Sequence, residues 1–194
     1  MSTLQVIDNF LPDELFEPFA FACMSYPHYC CVDFATTVQD SDGSIHTLGE
    51  NLADKDRVTN EVMFQAILLW RDITITRISD FYFVHQDFIK ALQKKLNAKR
   101  FHMIRANCTV RQPQAYQGNM HTDTIRREPK LRNAILYLNT NNGGTRFKDG
   151  SKDGTFVKSK KNRCALAPID MEHAGVWHTD AKLRFVLNIS YEEN

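Results

Sequence analysis

No apolar stretch in the sequence approaches the roughly 18 residues that a membrane-spanning helix needs. The N-terminal Met-Ser-Thr-Leu-Gln also lacks the basic then apolar layout of a secretory signal, so the expected location is cytoplasmic. Cysteine is scarce and odd in number: five residues, with Cys30 and Cys31 adjacent and no Cys-x-x-Cys spacing. That pattern excludes a disulfide framework and a zinc knuckle, and the five read as reduced, mostly buried thiols. Internal repeats and low-complexity segments are absent. So is any overall excess of charge, because 24 basic residues meet 23 acidic ones for a net of +1. Taken alone, that near-neutrality argues against a nucleic-acid or membrane binder. What is present, 194 residues of which 43% are hydrophobic, suits one globular domain with its own core.

The charge is unevenly distributed. Residues 1 to 90 carry −9, residues 91 to 163 carry +13, and residues 164 to 194 carry −3. Part of the basic block follows closely on Asp123 (Arg126, Arg127, Lys130, Arg132), and part lies on a later hairpin (Lys152, Lys158, Lys160, Lys161, Arg163). It reads either as a solvated face or as a surface that attracts an acidic peptide or a nucleic acid. Few aromatic residues interleave with these charges, which counts against base stacking.

Hydrophobic periodicity divides the chain in two. Leu4 to Phe10 reads as a strand, and Pro12 with Asp13 and Glu14 as the first turn of a helix that turns Leu15, Phe16 and Phe19 inward and that Pro18 should kink. Residues 39–56 are polar and aperiodic, a long loop or irregular hairpin. Helices are predicted over Asn60 to Arg71, with Met63, Ile67 and Trp70 on one stripe, and over Gln86 to Leu96, with Phe88, Leu92 and Leu96 at i, i+4 and i+8. From residue 101 the period becomes strand-like. In Phe101 to Arg111, Ile104, Ala106, Cys108 and Val110 share one face, and Arg105, Asn107 and Thr109 the other. That polar row either faces solvent or lines a cavity. Further strands are predicted at Arg132 to Asn139, Thr145 to Lys148, Gly154 to Val157, Arg163 to Ile169 and Arg184 to Tyr191, with turns at Asn141-Asn142-Gly143-Gly144 and Lys148-Asp149-Gly150. The expected organisation is a single domain, mainly β with supporting helices: a helix-rich support over 1–100 and a sandwich or jelly-roll core over 101–194.

Within the β half, His121-Thr122-Asp123 is followed by His173 and then Arg184. Two imidazoles and one carboxylate on one side of a metal ion leave the other side open, the arrangement used by non-haem Fe(II) oxygenases. His and Asp two apart on extended backbone point the same way, and a distant strand must bring the third ligand. The composition predicts about half a His-x-Asp by chance, and the chain has three. His85-Gln86-Asp87 opens a predicted helix, on which positions i and i+2 diverge. His178-Thr179-Asp180 has no later histidine. His173 and His178 compete as the distal ligand; the Ala-Gly after His173 and the eleven residues to Arg184 favour His173 and leave His178 at the rim. Tyr137, sharing a strand with Ile135, fits core by pattern alone, and so do Tyr116 and Trp177, whose alternative is a substrate entrance.

These segments resemble those of the 2-oxoglutarate and Fe(II)-dependent dioxygenases, and within them the small prolyl 4-hydroxylase-like enzymes of microbes and bacteriophages. The resemblance rests on His121-Thr122-Asp123, on Asn133-Ala134-Ile135-Leu136-Tyr137-Leu138-Asn139, on Asn142-Gly143-Gly144, on His173-Ala174-Gly175 and on Lys182-Leu183-Arg184; Val6 to Pro12 is also similar to the family's usual start. It implies a double-stranded β-helix (jelly roll, cupin-like) whose mouth holds iron on His121, Asp123 and His173. It further implies that Arg184 and Tyr137 take the far carboxylate of 2-oxoglutarate, with O2 as co-reactant and ascorbate as a family reductant. In the last strand Arg184, Val186 and Asn188 share a face. Val186 stands where many relatives place Ser or Thr, so Asn188 is the candidate replacement, and Arg105 and Asn107 join the candidate cosubstrate cavity. The implied reaction hydroxylates a protein or peptide side chain, prolyl by family precedent, with release of succinate and CO2. The rival readings are oxidative demethylation of nucleic acid by the same chemistry and a non-catalytic jelly-roll binding module.

Overall fold

A computed structural model describes residues 3–31, 37–39, 45–47, 63–71, 76–123 and 130–194. In chain order the elements are β1 (Gln5–Ile7), α1 (Asp13–Ser25), β2 (Tyr29–Cys31), β3 (Thr37–Gln39), β4 (Ile45–Thr47), β5 (Met63–Arg71), β6 (Thr76–Ile78), α2 (Asp80–Val84), α3 (Gln86–Lys95), β7 (Ala98–Val110), β8 (Leu131–Tyr137), β9 (Gly144–Phe147), β10 (Thr155–Lys158), β11 (Arg163–Pro168), β12 (His173–Val176) and β13 (Leu183–Glu193). The large sheet runs β1-β11-β8-β13-β7-β5-β2, with β6 on β5, and every pairing in it is antiparallel. A smaller sheet, β10-β9-β12, is also antiparallel, and β3 pairs with β4. The mainly-β expectation and the strands predicted after residue 101 thus stand, with β12 as an additional short strand.

The two faces of the large sheet bury different things, as the alternation of its strands requires. One face presents Ile104, Ala106 and Cys108 of β7 and Phe185, Leu187, Ile189 and Tyr191 of β13 to the main core, which α1 and α3 cover with Phe16, Phe19, Phe88 and Leu92. Phe19 and Phe88 stack in parallel at 3.6 Å between ring centroids, fixing α1 against α3. Burying side chains of this size stabilises by about 1.5–3 kcal/mol each. The other face meets the small sheet in a second cluster, in which Ile135, Tyr137, Ala165, Ala167 and Val186 pack on Phe147 and Val157.

The helix predicted over residues 60–71 is a strand from Met63 onward. β5 bonds to β7, and its register shifts between Ile67 and Leu69, so that Leu68 is an extra residue and both Leu68 and Leu69 are buried. Such a bulge interrupts the alternation of period two. The Met63, Ile67, Trp70 spacing that results imitates a helical stripe. The loop or hairpin over 39–56 lies mostly outside the described residues. Among the cysteines, Cys23, Cys108 and Cys164 are free and buried. Burial pushes the Cys23 thiol up to about 12 and that of Cys108 to about 11, which keeps both protonated. The side chains of Cys30 and Cys31 lie outside the described residues. No helix among the described residues is long and apolar enough to cross a membrane.

Candidate metal centre

Residues 116–121 run alongside β12. Trp177 N donates to Tyr116 O at 2.7 Å, Gly118 N to Gly175 O at 2.9 Å, and His121 and His173 exchange both main-chain bonds at 2.9 Å. This exchange sets the two histidines side by side although 52 residues separate them in the chain. With Asp123 they form a group whose candidate ligand atoms lie within 4.8 Å of one another. His173 Nε2 is 3.5 Å from Asp123 Oδ2, and His121 Nε2 is 4.0 Å from Asp123 Oδ1. The ring orientations are held from behind: His121 Nδ1 meets Asn119 O at 3.0 Å and His173 Nδ1 meets Met171 O at 3.2 Å. A proton on each Nδ1 leaves both Nε2 lone pairs directed at the centre, the tautomer that metal-bound histidines take. Asn133 of β8 donates to Asp123 Oδ2 at 2.7 Å and itself accepts from Ser190 Oγ at 2.9 Å. Burial works to raise the Asp123 carboxyl, but His173, Arg105 and His121 outweigh it and hold the group far below the usual carboxylate range. It is therefore an anion at neutral pH, as a ligand must be. His173 Nε2 is buried without a hydrogen-bond partner, which a bound cation would satisfy. The donor set thus fits a divalent metal.

The inward face of the sheet continues the site. Arg184 is buried, donating through Nη2 to Gly144 O at 2.9 Å and to Thr145 Oγ1 at 3.4 Å, while its Nε has no partner. Gly144 lets β9 lie close against β10, since a Cβ there would run into the carbonyl of Val157. The Arg184 guanidinium carbon stands 5.8 Å from the centre of the Tyr137 ring. Tyr137 is fully buried in the second core, and its hydroxyl donates to Val157 O at 3.3 Å. Burial, against the pull of Arg184, pushes that hydroxyl up to about 12, so it remains a donor. Asn107 Oδ1, Thr109 Oγ1 and Asn188 Oδ1 are buried without partners. Buried polar atoms are almost always hydrogen-bonded, so unpaired ones gathered on one face mark where a polar ligand fits.

The polar row Arg105, Asn107 and Thr109 therefore lines the interior, on the opposite face of β7 from the core. Arg105 Nη2 lies 3.7 Å from Asp123 Oδ1. His178 is buried away from the His-Asp-His group; burial and the nearby Arg184 charge lower it, and neither ring nitrogen makes a hydrogen bond of ordinary geometry. Trp177 is buried against Tyr116, with 5.5 Å between ring centroids. Sequence reasoning passed over Asn133 and Thr145. Asn133 was accessible to it, being polar at the same strand parity as Ile135 and Tyr137. Thr145 was not, because only the pairing of the small sheet brings it to Arg184.

No family model and no curated protein matches the sequence. The fold does have known counterparts. A structure of a 2OG-Fe(II) oxygenase family oxidoreductase from Burkholderia pseudomallei superposes with a TM-score of 0.67 at 8% identity, covering 99% of this chain and 86% of the other. The chain has the fold of these oxygenases. A prolyl-4-hydroxylase from Pseudomonas putida superposes with a TM-score of 0.58 at 14% identity, covering 99% and 93%. A prolyl hydroxylase from Trichoplax adhaerens, in complex with a hypoxia inducible factor peptide fragment, gives 0.57 at 11% identity, covering 98% and 84%. The shared oxygenase fold extends through the N-terminal half as well as the part where the motifs lie.

Proposed function

We propose that the protein is a 2-oxoglutarate- and Fe(II)-dependent dioxygenase that hydroxylates a side chain of a protein or peptide. The two facing sheets are read as the walls of a double-stranded β-helix, with residues 1–100 as its support and 101–194 as the catalytic part. The observation that carries the reading is the pairing of a convergent His121, Asp123, His173 donor set with a buried Arg184 that has no carboxylate partner among the described residues. A fixed guanidinium in a low-dielectric interior calls for an anion, and its fork grips a carboxylate bidentately. Arg184, Tyr137 and Thr145 would hold the far carboxylate of 2-oxoglutarate. Asn107, Thr109 and Asn188 would meet its remaining polar atoms, and His121, Asp123 and His173 would hold Fe(II). When bound, iron and cosubstrate supply the O2-dependent oxidation that places a hydroxyl on carbon and releases succinate and CO2. The chain's part is to orient both, to hold the imidazole protons on Nδ1, and to exclude water.

Two features support a peptide over a nucleic acid as substrate. One is the similarity to prolyl hydroxylases. The other is the pairing of the basic block with the chain's own acids: Lys160 and Arg163 with Asp8, Lys161 with Glu17, Lys99 and Arg100 with Glu192, Arg132 with Glu193 and Lys148 with Glu172. The test is spectroscopic. Anaerobic Fe(II) plus 2-oxoglutarate should give the visible charge-transfer band of the chelate in wild type and none in His121→Ala. A wild-type protein without the band would refute the assignment. Succinate release stimulated by peptides and not by methylated oligonucleotides would then fix the substrate class.

A further inference from the structure

The inward face of the large sheet opens in one direction. Directly paired residues on adjacent antiparallel strands share a face, and the pairings Ala165↔Ile135, Ile135↔Asn188, Asn188↔Arg105 and Arg105↔Ile67 form one continuous row across β11, β8, β13, β7 and β5. Exposure rises steadily along it, from 1% at Ala165 through 4% at Ile135 and 7% at Asn188 to 45% at Ile67, with the Arg105 side chain at 20%. Arg184, by contrast, is 5% exposed. The cosubstrate end of the site is therefore closed, and Arg105 stands where the metal centre meets the open edge.

Arg105 is also a cation with capacity to spare. Its one charged partner among the described residues is Asp123, at 3.7 Å and too long for a hydrogen bond, and its Nε is buried without a partner. Guanidinium cannot shed its proton, so the charge must be balanced by something. With a divalent metal and dianionic 2-oxoglutarate in place, Asp123 and the cosubstrate neutralise the metal and one of the two arginines. One positive charge is left over, on a guanidinium that is only 20% exposed and whose Nε is buried, a position where an anionic partner is favoured.

We propose that Arg105 is the substrate anchor, receiving a carboxylate of the substrate beside the His121, Asp123 and His173 group, with Ile67 as the apolar ledge next to it. The inference rests on the dioxygenase reading and adds the substrate's chemistry: an anionic group close to the carbon that reacts. That carboxylate comes either from an acidic residue of a peptide or from the α-carboxyl group of a free amino acid.

The experiment uses full-length protein loaded with Ni(II) and 2-oxoglutarate, titrated calorimetrically with matched probes. One set is Ac-Glu-X-Glu-NH2 against Ac-Gln-X-Gln-NH2, with X running through the common amino acids; the other is free amino acids against their amides. At least one carboxylate probe should bind about tenfold or more tightly than its amide. Arg105→Gln should erase that difference and Arg105→Lys should keep part of it, both read on protein saturated with Ni(II) and 2-oxoglutarate. The set that discriminates identifies the source of the carboxylate. Equal binding of carboxylate and amide, or no binding of any probe to wild type, would overturn the proposal. So would loss of the absorption band in both Arg105 variants with wild-type circular dichroism, which would make Arg105 a cosubstrate or metal anchor. Absence of the band in wild type is a separate result that removes the dioxygenase reading itself.

Discussion

Arg184 sets a buried charge against a small number of neutral acceptors, an arrangement that burdens the ligand-free protein and favours an anionic ligand. Its substitution should therefore separate stability from binding. Arg184→Met keeps the volume and removes the charge, so the thermal midpoint of the ligand-free protein should not fall. Added 2-oxoglutarate should raise the midpoint of metal-loaded wild type and leave that of the variant unmoved, and its affinity should drop about 10- to 100-fold with iron affinity little changed. Scanning fluorimetry with and without 2-oxoglutarate checks both halves. Asn133 would act one step removed from a bound metal, since its amide holds Asp123 Oδ2 and is itself held by Ser190. Asn133→Ala should weaken metal binding about 10- to 100-fold while leaving the 2-oxoglutarate affinity of the remaining holoprotein near wild type, as read by metal-titration calorimetry. At this scale much was legible. His121, Asp123, His173 and Arg184 stand out because few residue types perform ligation and carboxylate binding, and strand parity placed Asn107 and Asn188 on the right face. Thr145 was hidden because its contact with the site is a hydrogen bond from Arg184, 39 positions away.

Elements were legible where one period held along their length and obscured where it broke. β7 and β13 alternate from Ile104 to Val110 and from Leu183 to Ser190, with register shifts only beyond Ser190, and their pairing gives the sheet its two faces. β5 carries Leu68 as an extra residue, and no local pattern distinguishes a bulged strand from a short helix; the bonds to β7 decide it. The turn between β10 and β11 shows how a single residue joins distant elements. Asn162 has a φ of 59° and a buried side chain that accepts from Leu11 N at 3.1 Å and donates to Leu11 O at 2.7 Å, tying the N-terminal segment to the turn. Asn162→Ala leaves two buried main-chain groups unpaired and puts a residue less tolerant of the left-handed conformation than asparagine in its place, at a cost of about 2–4 kcal/mol. Asn162→Gly removes the same hydrogen bonds without the backbone strain and should be milder by about 1 kcal/mol. Urea denaturation of the two variants distinguishes the contributions; equal losses would mean that the side-chain bonds carry the whole effect.

For the whole molecule, the segregated charge of the sequence describes how the chain is assembled. The acidic N-terminal part supplies Asp8 and Glu17 to the basic turn at Lys160, Lys161 and Arg163, and the acidic C-terminal end supplies Glu192 and Glu193 to Lys99, Arg100 and Arg132. Composition by segment could not show this, because pairing is a property of the fold. Asp8 is the best tied of these acids, receiving Arg163 Nε at 2.6 Å, Arg163 Nη2 at 3.0 Å and Lys160 Nζ at 2.9 Å. Those hydrogen bonds hold its carboxyl well below the usual range. A depressed carboxylate contributes stability that is fully present above its unfolded value near 3.8 and is lost as the pH falls through the folded one. The pairs are partly solvated, so Asp8→Asn should destabilise by only about 1 kcal/mol at pH 7. The gap between variant and wild type should narrow as the pH drops below about 4, where the unfolded chain's carboxylate begins to take up a proton while the native one is still held ionised by Arg163 and Lys160. Urea midpoints at neutral and acid pH test this: a gap that stays constant with pH would mean that Asp8 acts through packing or neutral hydrogen bonding, and that the opposed charges of the two halves contribute little to holding them together.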